Sequence, residues 1–119
     1  MIRRKVPHRG DVYWIDPNPV AGREMKKRHR YVVITPKEIN VLGVSMTVPV
    51  TTGGAAARNF GLTVNISGYD TSGVAVCNQV RTFDIEDRER SGTARFIETL
   101  DDSIVDEIIG KVVSIIDCA

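Results

Sequence analysis

The chain has 119 residues, of which 42% are apolar and 26% charged, with a net charge of +1. That is enough chain to bury one core and too little for two, so a single domain over 1–119 is expected. No apolar run approaches the roughly 20 residues of a membrane span, and no apolar stretch follows Met1-Ile2-Arg3-Arg4-Lys5 to make a secretory signal. Cys77 and Cys118 lie far apart without metal-ligand spacing, so reduced thiols, no metal, no cofactor and a cytoplasmic setting are expected. The small net charge hides a gradient. Residues 1–58 carry 11 Lys/Arg against 4 Asp/Glu, and residues 59–119 carry 5 against 11. Such asymmetry points to a polyanion-binding face opposite a solvated acidic one.

In chain order, Gly10-Asp11 precedes Val12–Ile15, an aromatic and β-branched run that reads as a strand. Pro17, Pro19 and Gly22 make the following segment a loop, which the polar run Arg23 to Arg30 extends. Tyr31–Thr35 is a second strand, ended by Pro36. Residues 37–40 have room for one helical turn. Val44–Thr52 is a third strand, and Pro49 inside it requires an edge, a bulge or a bend because it has no N–H to give to a ladder. Gly53 to Ala57 is a flexible small-residue segment. Leu62–Ile66 alternates apolar and polar, and 73–77 and 80–83 are further short strands. Five or more short strands at this spacing predict a mainly β fold, a small barrel or sandwich. Ile104, Val105, Ile108, Ile109, Val112, Val113, Ile115 and Ile116 then recur at helical steps. Thr99 is the expected N-cap, with Asp101 and Asp102 favouring the helix dipole. So apolar a helix has surface for the barrel on one side and a second subunit on the other.

No nucleophile motif or phosphate-binding loop is present, and the lone Gly53-Gly54 pair is weak evidence for a phosphate cradle. The chemistry-bearing stretch is Gly22 to Arg30. It holds five cations (Arg23, Lys26, Lys27, Arg28, Arg30), one carboxylate (Glu24) and one imidazole (His29). Cations stabilise phosphate oxyanions, and a His or carboxylate moves protons. Cleavage of RNA by its own 2′-hydroxyl needs those parts. The residues alone therefore indicate an RNA or phosphate ligand and allow a nuclease.

The chain resembles the MazF/PemK (Kid) toxins. The resemblance lies in Gly10-Asp11-Val12-Tyr13-Trp14, in Asn18 to Glu24, in Val32-Val33-Ile34-Thr35-Pro36, in Val48 to Gly54 with Ala57-Arg58, and in Gly73 to Asp84. These occur in family order and spacing over nearly the whole chain. The resemblance implies an SH3-like β-barrel with a C-terminal helix, a homodimer, and a metal-independent endoribonuclease acting on single-stranded RNA. It also implies a cognate MazE/PemI-like antitoxin whose disordered acidic tail occupies the RNA groove.

Carried over by position, the resemblance keeps Gly22-Arg23-Glu24, Thr51, Arg58 and Gln79. It departs where His29 and Arg30 stand in place of Arg-Pro, where Arg23 replaces the His of Kid-like members, and where Val76 and Asn78 replace the Arg and Asp around the Cys. The proton-transfer work is thereby left to His29 and Glu24. His29, Glu24, Arg23 and Thr51 are the catalytic candidates. Lys26, Lys27, Arg28, Arg30, Thr52, Arg58, Asn78, Gln79 and Arg81 are the RNA-binding candidates. Two other functions fit the same fold: a degenerate toxin that only binds RNA or antitoxin, and a gyrase poison acting through its C-terminal end. The ending Asp117-Cys118-Ala119 lacks the Trp that such a gyrase contact would resemble.

Overall fold

A computed structural model describes residues 6–17, 29–52 and 61–117. The elements are β1 (Asp11–Ile15), β2 (His29–Val33), a single turn α1 (Lys37–Asn40), β3 (Ser45–Thr51), β4 (Thr63–Ile66), β5 (Gly73–Val76), β6 (Arg81–Phe83), α2 (Ile85–Arg90), β7 (Ala94–Thr99) and α3 (Asp102–Ile116). The strands form one sheet in the order β4-β5-β3-β2-β1-β7, with β6 also pairing β3. All pairings are antiparallel.

Successive strand residues point to opposite faces, and the two faces bury different cores. One carries Val12, Val32, Val48, Val50 and Ala75 and is covered by Val105, Ile108 and Val112 of α3. The other carries Tyr13, Ile15, Tyr31, Val33 and Phe83 and is closed by Ile85 of α2. The first core is almost purely aliphatic and makes a dry helix-on-sheet layer. The second is built on aromatic pairs, with Tyr31 edge-on to Phe83 at 5.0 Å between centroids and Tyr13 edge-on to Phe96 at 5.6 Å.

The strand path ends at β4 and β7, and no ladder joins them. Side chains bring these ends together instead. Thr71, fully buried in the β4–β5 turn, donates its N–H to Glu98 Oε2 on β7 at 2.6 Å and accepts from Arg30 Nη1 on β2 at 3.0 Å. The Tyr69 hydroxyl accepts from the Asp101 N–H at 3.2 Å. The result is the barrel-like, mainly antiparallel fold with a C-terminal helix that the sequence predicts.

Pro49 shows how the ladder accommodates a missing donor. On one side it faces Tyr31 of β2. On the other, β5 pairs only Val50 and Thr51, and β6 only Ser45 to Thr47. The proline therefore sits in a gap between two partner strands, an edge within a central strand.

Several boundaries differ from the sequence reading. His29 and Arg30 belong to β2 rather than to the loop, because pairing with Ile15 and Trp14 overrides their polarity. β7 and α2 lie in a stretch whose charged residues mask its periodicity. The α2 N-terminus is capped by Asp84, whose side chain accepts from the Asp87 N–H at 3.0 Å. Thr99 does not cap α3: it ends β7 and donates its hydroxyl to Asp11 Oδ1 at 2.8 Å, while Asp101 holds the N-cap position.

Two glycines should respond oppositely to alanine. Gly73 has φ +129° and a Cβ there would stand 2.7 Å from the Thr51 carbonyl oxygen, whereas Gly110 lies in α3 with open space around it. Gly73→Ala is expected to destabilise the fold by about 2 kcal/mol or more. Gly110→Ala should stabilise it by about 0.5–1 kcal/mol through helix propensity. Urea unfolding of the two variants measures both signs.

Candidate active site

The expected site residues divide into a described set and a set outside it. Arg23, Glu24, Lys26, Lys27, Arg28 and Arg58 lie outside the described residues. The described ones cluster by register. His29 is the first residue of β2, opposite Ile15 of β1. Thr51 is the last of β3, opposite Val74 of β5. The β2–β3 register, with Arg30 opposite Val50 and Tyr31 opposite Pro49, places His29 beside Thr51 at the same sheet end and on the same face. Residues 18–28 enter β2 at His29, and residues 53–60 leave from exposed Thr52 beside Thr51. The fold thus roots both candidate loop segments at one corner of the sheet.

Further along this face lies the turn between β5 and β6. Asn78 is exposed there and Gln79 half-buried, with the Gln79 N–H donated to the Val76 carbonyl at 3.1 Å. Because β5 and β6 flank the Pro49 gap, this turn runs alongside Pro49. Arg81 follows, opposite Thr47, whose hydroxyl donates to the Arg81 carbonyl at 2.9 Å. Its guanidinium stands 5.0 Å from the centre of the Phe83 ring.

Arg30 is not brought to this group. Strand alternation turns it to the aliphatic face, where it donates to Thr71, so the described contact makes it a brace between β2 and the β4–β5 turn. Trp14, its neighbour on β1, takes the same side, half-buried with Arg95 5.9 Å from its ring.

Two residues near the group escape sequence reasoning. Tyr31 reads as an ordinary strand aromatic, yet it is fully buried beneath His29, whose ring meets it edge-on at 6.5 Å. Arg88 reads as one charge in a solvated run, yet it donates Nη1 to the Asp16 carbonyl at 2.7 Å and lies 4.8 Å from the Phe83 ring centre. The available signal was the capping pattern Asp84…Asp87, which starts a helix and places Arg88 one turn after the cap.

Burial raises the Tyr31 hydroxyl above its ordinary value, partly opposed by the Arg81 and Arg88 cations. The phenol therefore stays protonated near neutrality. Burial also pushes the Cys77 thiol up to about 11, so Cys77, 1% exposed, is a small core residue and not a nucleophile. Among the described residues no three His, Cys, Asp or Glu side chains are gathered as a metal site. The corner supplies an imidazole, a hydroxyl and guanidinium groups, a set suited to moving a proton and holding an oxyanion.

Comparison with known proteins identifies the family. Residues 8–116 match the family described as PemK-like, MazF-like toxin of type II toxin–antitoxin system. The chain is 33% identical over 120 residues to endoribonuclease PemK of Escherichia coli, covering 98% of this chain and 87% of that protein. It is 34% identical over 83 residues to endoribonuclease toxin MazF of Escherichia coli strain K12, covering 69% of this chain and 72% of that one. The crystal structure of MazF from Deinococcus radiodurans superposes with a TM-score of 0.78 at 27% identity, covering 95% of this chain and 98% of its own. The chain belongs to the PemK-like, MazF-like family of type II toxin–antitoxin toxins.

Proposed function

We propose that the protein is the endoribonuclease toxin of a type II toxin–antitoxin system, cleaving single-stranded RNA by attack of its own 2′-hydroxyl without a metal ion and so arresting translation and growth. The observation that carries this reading is the placement of His29 beside Thr51 at the corner where both candidate loop segments are rooted, in a chain whose relatives are named endoribonucleases. In this mechanism His29 or Glu24 takes the 2′-hydroxyl proton. The oxygen attacks the adjacent phosphorus, cationic groups hold the non-bridging oxygens, and the 5′-oxygen leaves with a proton. Where Kid-like members carry a His, this chain has Arg23, which is always charged and serves as a stabiliser rather than a base. His29, whose reference pKa is about 6.5, is the group suited to proton transfer near neutrality.

The cognate antitoxin is read as an acidic, partly disordered segment drawn to the basic half of the chain, with an attraction that salt weakens. A homodimer accounts for the apolar residues that α3 leaves exposed, Val113 at 54% and Ile116 at 74%, since such patches mark interfaces. A dimeric mass by light scattering at micromolar concentration is expected.

Incubation with a long RNA in EDTA should leave cleavage intact and yield 2′,3′-cyclic phosphate and 5′-hydroxyl ends. Loss of activity in EDTA with recovery in magnesium would rule the mechanism out. His29→Ala should reduce cleavage by about 10²-fold or more, the range for a lost general acid or base. His29→Gln, which keeps a hydrogen-bonding group but cannot shuttle the proton, should be similarly slow. A Gln variant cleaving at the wild-type rate from pH 5.5 to 8 would make His29 structural and move the role to Glu24.

A further inference from the structure

On the aromatic face, one residue along from His29, two arginines converge on a single ring. The guanidinium carbons of Arg81 and Arg88 lie 5.0 and 4.8 Å from the centroid of Phe83, and Tyr31 meets the same ring edge-on at 5.0 Å. Both arginines are half-buried. A half-buried arginine buries its stem and keeps guanidinium donors to offer. Here no ion pair joins either arginine to a described carboxylate. Asp16 gives Arg88 its backbone carbonyl, not its carboxylate. The Tyr31 hydroxyl and Nη1 of Arg81 are both shut off from solvent and have no other partner among the described residues, and the Arg81 guanidinium lies against that hydroxyl.

From this geometry we propose that Arg81 and Arg88, backed by Phe83 and Tyr31, form a phosphate subsite for a backbone linkage of the RNA next to the one being cleaved. The proposal rests on the RNA-cleaving reading above. Stacking on Phe83 holds both guanidinium planes in place before a ligand arrives, and each has donors to offer to the oxygens of one phosphate. Tyr31, a neutral phenol, supplies no negative charge to cancel them. The pair shares a sheet face with His29 and Thr51, so a strand crossing the corner continues onto it. A phosphodiester carries the same single charge as an antitoxin carboxylate, and it is favoured here because a strand held at the corner of His29 and Thr51 brings its next linkage onto this face. Arg88 also ties the subsite to the root of the 18–28 segment, through the Asp16 carbonyl.

The test is equilibrium binding of a fluorescent RNA made uncleavable by 2′-O-methylation, measured by anisotropy from low to moderate salt. Wild type, Arg81→Gln, Arg88→Gln, the double variant and the two Arg→Lys variants are compared, each checked for a native melt. Each Gln variant should lower affinity by about tenfold at low salt and flatten the log K against log salt slope by about 0.7, the value for one lost phosphate contact on a single strand. The double variant should flatten it by about 0.7 in all, because both guanidinium groups hold the same phosphate. Lys variants should keep the slope, because the charge remains. A single neutral methylphosphonate linkage in the RNA should reproduce the loss in wild type and add nothing in the double variant. Wild-type slopes in natively folded Gln variants would overturn the subsite, as would weakened binding of an oligoglutamate peptide with RNA binding unmoved. Wild-type protein that neither binds nor cuts RNA would instead bring down the functional reading itself.

Discussion

Everything in this small sheet depends on how its two ends are held together. The path of strands from β4 to β7 has no closing ladder, so its curvature is maintained by a few polar contacts around Thr71. The backbone N–H of that residue is taken by the Glu98 carboxylate and its hydroxyl by the Arg30 guanidinium. An acid on one strand and a base on another are thereby joined through a neutral residue that both can satisfy. Buried in an apolar setting, such bonds are stronger than their solvated counterparts and correspondingly costly to break. With the β4–β5 turn drawn over the aliphatic face, Val64 and Ile66 of β4 complete the core under α3. Without it that core would open along one side.

This closure also explains why the opposite face is available for chemistry. The aliphatic core absorbs α3 and the polar brace, and its residues have no other work. Among the described residues the second face is covered by the short α2 and by residues of β7, and its core is aromatic. Aromatic rings tolerate cations on their faces and hydroxyls at their edges, so polar side chains can stand on them at modest cost. His29, Tyr31, Arg81 and Arg88 all do so.

The fold was largely legible from the residues. β-Branched runs marked β1 to β5, and the helical spacing of Ile and Val marked α3. Two elements escaped because tertiary pairing decided them: β7, whose Arg95 and Glu98 interrupt its alternation, and α2, whose one buried side chain is Ile85. The site was legible in composition but not in direction. A cluster ending His29-Arg30 reads as one cationic surface. Only strand geometry reveals that the two side chains leave on opposite faces, Arg30 toward Thr71. Arg88 lay in a run of five charged residues, 86–90, where sequence alone gives no reason to prefer one.

That opposition along β2 sets a rule of parity. The strand itself cannot slide by even one position. A slip of one residue would turn every side chain of β2 to the opposite face and, depending on its direction, carry either the Arg30 guanidinium to the corner or the His29 imidazole toward Thr71. Pairing with Ile15 and Val50 on either side pins β2. Whatever precedes the strand, the side chain that β2 delivers to the corner stays the same.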